Sequence, residues 1–253
     1  MDRAQLDAAY NNSAAVKNSA QIVAGWQERS ARVREQYPGA LDQEYGPSPR
    51  NRVDFFDAGE GAPLFVFIHG GYWQMRSKEL FAFLVPGPLA HGISVALVGY
   101  TLAPEKSLDG IVAEIHAVLG FLGRDCVLSG WSAGGHLTAM AMEHPRVRAG
   151  LAISGIYDLE PIRLCYLNDK LRLDAESARR LSPVHRPATG KPLVVAYGTG
   201  ELSELQRQSR AYADIARGAR LESLEDHDHF TILAELASPS GRLTSIVRTL
   251  IES

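Results

Sequence analysis

The segment Gly130-Trp131-Ser132-Ala133-Gly134 puts one hydroxyl between two glycines, immediately after the apolar run Cys126-Val127-Leu128. A serine becomes an effective nucleophile when a nearby base takes its proton and the backbone holds its oxygen clear of the neighbouring strand and helix. A sharp strand-to-helix turn does this, and glycines two before and two after the serine remove side chains that would collide there. The helix N-terminus behind the serine also favours negative charge developing nearby. A helix-capping serine is the plain alternative for this pentapeptide. Companion residues decide between the two.

The first companion is His69-Gly70-Gly71-Tyr72-Trp73, directly after Leu64-Phe65-Val66-Phe67-Ile68. Paired glycines let backbone N–H groups approach a substrate carbonyl, and the amides of Gly71, Tyr72 and Ala133 are the expected oxyanion donors. Alone, this would be a glycine turn after a strand; beside the serine turn it becomes part of an oxyanion hole. The second companion is a base. Serine, acid, histidine is the chain order expected for such a site, and His185, His227 and His229 are the histidines late enough to fit it. His185, between prolines before the penultimate strand, is expected to be structural. His227 and His229 are separated by one residue, so in an extended loop they point opposite ways and one of them faces Ser132. A His-x-His metal pair lacks companion ligands at metal spacing. The acid is expected after the strand candidate 193 to 197, where Glu201 lies in the loop and is favoured. Glu204 falls in the first turn of the next helix, and Asp158, after the preceding strand, competes.

These groups need a scaffold. Strand candidates at 64 to 68, 94 to 98, 126 to 129, 150 to 154, 193 to 197 and 220 to 224 alternate with helical patterns near 78 to 91, 107 to 122, 134 to 143 and 203 to 217. Several strands are almost continuously apolar, as strands buried on both faces of a parallel sheet must be. Strand-helix alternation predicts an α/β fold with its site at the carboxyl ends of the strands. Residues 1 to 37 are expected to be helical, ended by Pro38-Gly39-Ala40. Residues 45 to 51 lead into a strand-like Val53–Gly59 stretch. Residues 158 to 190 form a polar, helical insertion that is a candidate lid. One domain is expected over 1 to 253.

Composition narrows the function classes. The chain has 253 residues, a formal net charge of -3 and two cysteines, Cys126 and Cys165. There is no Lys/Arg run to bind nucleic acid or an anionic membrane, and no disulfide scaffold. The amino-terminal residues lack the apolar core of a signal peptide, and the apolar runs are strand-length. A cytoplasmic protein acting on a small-molecule substrate is expected, without metal or other cofactor, and with a homodimer left open.

The motifs Tyr10-Asn11, His69–Trp73, Gly99–Pro104, Ser132–Leu137, Ser154–Pro161, Leu167–Asp174, Glu201–Ser209 and His229-Phe230 together resemble the serine-dependent kynurenine formamidases (arylformamidases) of the α/β-hydrolase fold and their esterase-like relatives. The resemblance runs along most of the chain, and HGGYW with SAGGH is its most specific part. It implies a mostly parallel sheet with helices on both faces. In the family's pattern the histidine before phenylalanine is catalytic, which implies His229, and the acid position falls on Glu201. The implied reaction is hydrolysis of a small amide or ester through an acyl-enzyme, with an aryl formamide such as N-formylkynurenine the expected substrate. A carboxylesterase or amidase acting on another small acyl group, and a catalytically inactive ligand-binding relative, are the alternatives. Tyr72, Trp73, Trp131 and Tyr157 are candidates to wall the substrate pocket. Three positions depart from the pattern: Trp131 stands where many relatives have histidine, Leu205 where phenylalanine is usual, and Asn12 where proline is commoner.

Overall fold

The computed structural model describes residues 1 to 37, 39 to 186 and 189 to 253. Its strands are β1 (Ala40–Glu44), β2 (Arg52–Phe56), β3 (Leu64–Ile68), β4 (Ser94–Val98), β5 (Cys126–Trp131), β6 (Val147–Ile153), β7 (Leu193–Gly198) and β8 (Ala219–Leu224). They form one eight-stranded sheet in the order β1-β2-β4-β3-β5-β6-β7-β8. β2 runs antiparallel to β1 and β4, and every other pairing is parallel. The helices are α1 (Arg3–Ala9), α2 (Asn12–Ala15), α3 (Ser19–Gln36), α4 (Pro86–Leu89), α5 (Leu108–Leu122), α6 (Ala133–Ala141), α7 (Glu160–Arg163), α8 (Asn168–Leu171), α9 (Ala175–Arg180), α10 (Ser203–Ile215), α11 (Ala234–Ala237) and α12 (Arg242–Glu252). Among the described residues, no helix is long and apolar enough to cross a membrane.

The period-two geometry of a strand divides the core into two layers. Leu64, Val66 and Ile68 of β3 enter the layer beneath α1, α5, α6 and α10, whereas Phe65 and Phe67 enter the layer beneath α3, α11 and α12. β3, β4, β5 and β7 are buried at every position and β6 at all but Arg148, so near-continuous apolar runs are what a sheet covered on both faces requires. α5 shows how local signals set boundaries. The Ser107 side chain accepts from the Gly110 amide at its start, and Gly123 takes a left-handed conformation, φ 61°, at its end.

Several elements differ from the sequence expectation. The helical 1 to 37 segment is three helices, broken at Tyr10-Asn11, where the Asn11 side chain accepts from the Ala14 amide and starts α2. Of the break expected after α3, Pro38 lies outside the described residues. β1 is an added edge strand: Ala40–Glu44 carries no apolar run to announce it and is exposed at every position but the partly buried Leu41. The helix near 78 to 91 is a 3-10 turn, Lys78–Leu84, followed by α4, because Pro86 and Pro88 lack the amides a continuous α-helix needs. The stretch from 158 to 190, of which Pro187 and Ala188 lie outside the described residues, contains α7, α8, α9 and a 3-10 turn. Its Leu159, Ile162, Cys165, Leu167, Leu171 and Leu181 are buried in the main core.

Two histidines are fully enclosed in this frame. His69 stacks on Tyr100 with ring centroids 4.2 Å apart, and His136 of α6 faces the Leu181 carbonyl at 2.8 Å. Burial pushes the His69 imidazole down to about 3 and that of His136 to about 4, so both are neutral in the folded protein. The unfolded chain binds these protons once pH falls below about 6.5 and the folded chain does not, so stability decreases with falling pH until each folded value is reached. The pair should contribute a loss approaching roughly 3 kcal/mol per pH unit below pH 6. Urea unfolding from pH 7.5 to 4.5 measures this. His136→Gln should flatten the pH dependence even where it lowers stability at pH 7.5, and an unchanged slope would contradict the assignment.

Candidate active site

Residues Gly130 to Gly134 make a turn whose geometry explains its composition. Ser132, between β5 and α6, has φ 58° and ψ -118°, a conformation costly for any side-chain-bearing residue. A Cβ on Gly130 would lie 2.2 Å from the Gly134 carbonyl oxygen, and one on Gly134 would lie 2.0 Å from that of Ile68. Both contacts are backbone on backbone, so neither can yield by a side-chain rotation. The two glycines are what allow β3, β5 and α6 to close around the serine.

Ser132 Oγ faces His229 Nε2 at 3.1 Å, and His229 Nδ1 faces Glu201 Oε2 at 3.0 Å. All three residues are buried. An ionised carboxylate only accepts, so the ring proton sits on Nδ1 and leaves Nε2 bare toward the serine hydroxyl. Glu201 is fixed at its other oxygen: Oε1 accepts from Ser154 Oγ at 2.6 Å and from the Gly198 amide at 2.7 Å. Ser154, which follows β6 with φ 51°, opens the Ser154–Pro161 stretch that carries part of the resemblance, but nothing in its residue type or spacing marks it as a partner of Glu201.

The other candidates stand elsewhere. His227 lies 3.5 Å from Glu235, and its carbonyl accepts from the Gly200 amide. Among the described residues, no group of three or more His, Cys, Asp or Glu side chains is positioned to hold a metal ion. Glu204 binds Arg207 at 2.9 Å, and the Asp158 carboxylate accepts from the Glu160 amide. His185 is exposed.

Gly71, Tyr72 and Trp73 follow β3 in a loop with φ values of 117°, 50° and 59°. Among the described residues, the amides of Gly71, Tyr72 and Ala133 donate to no other protein group, so all three are free donors around Ser132. The Tyr72 ring is held from the amino terminus. Burial pushes its phenol up, keeping it protonated; it donates to the Tyr10 carbonyl and accepts from Asn12 Nδ2 at 2.8 Å.

A small cavity of about 50 Å³ opens onto Ser132, lined by Asn11, Asn12, Ser13, Gly71, Tyr72, Met75, Arg76, Trp131, His229, Phe230 and Tyr166. A larger cleft beside Met142, Arg186 and Lys191 is lined by no Ser, Cys or His among the described residues. Of the expected aromatic walls, Tyr72 and Trp131 line the cavity. Trp73 and Tyr157 do not: Trp73 packs edge-on against His136 and Tyr157 stacks on Tyr212, both fully buried in the core. Aromatic residue type does not say which side of a loop a ring will take. Asn11 to Ser13, Arg76, Tyr166 and Phe230 are wall residues that the sequence reading misses, since their approach depends on how distant segments fold over the sheet. Trp131 has a second contact, donating from its indole N–H to the His229 carbonyl at 2.7 Å, with its ring 4.7 Å from the imidazole.

Comparison with known proteins agrees with this architecture. Residues 65–214 match the model of the Alpha/beta hydrolase family. The chain is 30% identical to a kynurenine formamidase of Salmo salar, over 89% of this chain and 86% of that one. It is 29% identical to the kynurenine formamidase of Danio rerio, over 87% and 84%. A Silicibacter protein crystallised under a provisional thioesterase assignment superposes with a TM-score of 0.89 at 30% identity, covering 96% of this chain and 98% of that one. A Pyrobaculum calidifontis esterase shares the fold, with a TM-score of 0.69 at 16% identity over 92% of each chain. The chain belongs to the alpha/beta hydrolase family and is kynurenine formamidase-like within it.

Proposed function

We propose that the protein is a serine hydrolase that cleaves small aryl amides or esters through an acyl-enzyme, with an aryl formamide such as N-formylkynurenine as the substrate. The observation that carries this reading is the hydrogen-bonded line from Ser132 through His229 to Glu201, 3.1 and 3.0 Å per step, opening onto a cavity beside free backbone amides. Ser132 Oγ attacks the substrate carbonyl while His229 Nε2 takes its proton. The carbonyl oxygen, now an anion, is stabilised by the amides of Gly71, Tyr72 and Ala133. His229, held by Glu201, returns the proton to the leaving nitrogen or oxygen as the bond to the acyl carbon breaks. Water then attacks the acyl-serine with the same histidine as base, releasing the acid and restoring Ser132. Its 30% identical kynurenine formamidase relative favours a formyl group and an aniline leaving group. The Silicibacter thioesterase-assigned neighbour favours a second reading, hydrolysis of other small acyl esters or thioesters.

Ser132→Ala should lower kcat by roughly 10³-fold or more. His229→Ala should do the same, while His227→Ala should stay within about tenfold of the parent; the opposite ranking of the two histidines would refute the assigned base. Glu201→Gln should cost on the order of 10³- to 10⁴-fold through loss of the imidazole's orientation and charge stabilisation. Ser154→Ala removes one hydrogen bond to that carboxylate and should cost about 5- to 30-fold in kcat with little change in KM. A rise in KM would instead indicate loss of substrate binding, and titration of active sites separates a true fall in kcat from a loss of active protein. Comparison of kcat/KM for formyl, acetyl and butyryl esters or anilides of one aryl leaving group separates the two acyl readings. A formyl preference above about tenfold supports the formamidase, and indifference to acyl length supports the general esterase.

A further inference from the structure

Arg76 lines the cavity at Ser132, and no Asp or Glu does. Among the described residues its guanidinium makes no ion pair and its side chain donates no hydrogen bond; Nη1 is buried without a partner. The neighbouring cations are engaged: Lys78 binds Asp42, Asp54 and Glu79 at 2.6, 2.7 and 2.8 Å, and Arg50 binds the Tyr100 carbonyl at 3.0 Å. Three aromatic rings pack against Arg76, which is partly exposed and also lines a second cleft with Arg34 and Glu79. Its guanidinium carbon stands 5.7 Å from the Trp26 ring centre, 5.3 Å from that of Trp131 and 5.6 Å from that of Phe230. The backbone is pinned in the left-handed region, φ 73°, with its carbonyl accepting from Arg50. Burial pulls the guanidinium down to about 10, which still leaves it charged at neutral pH.

Ring faces stabilise the charge of a guanidinium but give its N–H groups no acceptor. A buried donor without an acceptor is costly, and the planar fork of arginine matches a carboxylate in two parallel hydrogen bonds. The cation also lies on the histidine's side of the site, since it packs on Trp131 and Trp131 packs on His229. The leaving group is protonated by His229, so this is the side on which it resides. We propose that Arg76 is the receptor for a carboxylate carried on the leaving-group portion of the substrate, making it a specificity-determining residue for anionic aryl amides. A second vacancy fits the same occupant: Asn12 gives its Nδ2 to Tyr72, and its Oδ1 is buried without a partner in the cavity wall, where it can accept a substrate N–H. The proposal rests on the serine-hydrolase reading.

The test uses three probes: desamino N-formylkynurenine, whose only charge is its carboxylate, its neutral carboxamide analogue, and succinanilic acid, whose carboxylate sits on the acyl side. In the parent protein, kcat/KM for the carboxylate should exceed that for the carboxamide by roughly 10- to 100-fold, mostly through KM, and the ratio should shrink with added salt. Arg76→Gln should collapse the ratio toward one, and Arg76→Lys should restore part of it. Because the ratio is taken within each variant, a partial loss of folded protein does not affect it. Equal kcat/KM for carboxylate and carboxamide in the parent, or a ratio that survives in Arg76→Gln, would overturn the role of Arg76 while leaving the hydrolase intact. Arg76-dependent preference for succinanilic acid over desamino N-formylkynurenine would overturn the leaving-group side. Absence of Ser132-dependent turnover of every probe is a different result, which removes the hydrolase reading and this proposal with it.

Discussion

Backbone pressed against backbone at the end of β5 is the constraint from which the rest of the site follows. The Gly134 Cα meets the Ile68 carbonyl so closely that a Cβ would sit 2.0 Å from it, and Gly130 is as tightly closed by Gly134. This contact ties the turn at Ser132 to the end of β3, and the loop that carries Gly71 and Tyr72 begins just beyond. Ser132 and the free amides are therefore positioned by one rigid junction at the centre of the sheet, with β3 hydrogen-bonded to β5 along its whole length. A strained φ at Ser132 can persist because the strands on either side leave the backbone no relaxed alternative.

The remaining partners come from farther away and are held by hydrogen bonds rather than by strand pairing. Glu201 is reached from the end of β7, and its buried carboxylate is satisfied by Ser154, the Gly198 amide and His229 together. Three donors compensate what burial of one carboxylate would otherwise cost. His229 comes from the loop after β8, a strand half exposed along much of its length. Its main chain is fastened by the Trp131 indole, so a residue of the serine turn fixes the position of the imidazole. Trp131 thus has a structural reason to be large beside a serine crowded by glycines: it spans from that turn to the histidine and closes one wall of the cavity.

How legible each part is in the sequence depends on how locally it is determined. The serine turn and the two glycines after β3 are set by steric demands within a few residues, and their spacing shows this directly. The strands they need are apolar enough to be found, though their ends shift by a few residues. His229 and Glu201 are selected less by local pattern than by where β7 and β8 deliver their loops; residue spacing leaves His227 and Asp158 as competitors, and the family resemblance points to the pair that the geometry brings together. β1 carries no apolar alternation, so nothing local distinguishes it from a loop. Trp73 and Tyr157 have the right chemistry for a pocket wall but turn into the core. Asn12 and Arg76 reach the cavity through the folding of the amino-terminal helices and the loop after Trp73, which no spacing rule encodes.

The wall built by these distant segments changes the electrostatics of the chemistry. α1 is tied to the segment after β6, with the Tyr166 amide donating to Asp7 and Arg3 paired with Asp169, and this docking brings Asn11 to Ser13 over Ser132. Ser132, His229 and Glu201 are buried beneath these segments, away from bulk water, and fixed dipoles there act more strongly than they would in solvent. The same exclusion strengthens any charge left inside. Had a carboxylate of the protein been set against Arg76, the cavity would be electrically satisfied before substrate arrived; with aromatic faces in its place, the cation keeps its hydrogen-bonding capacity. Aromatic support of that kind holds a charge in a dry site without consuming its donors, which is the arrangement required of a group that must recognise an anion and then release it.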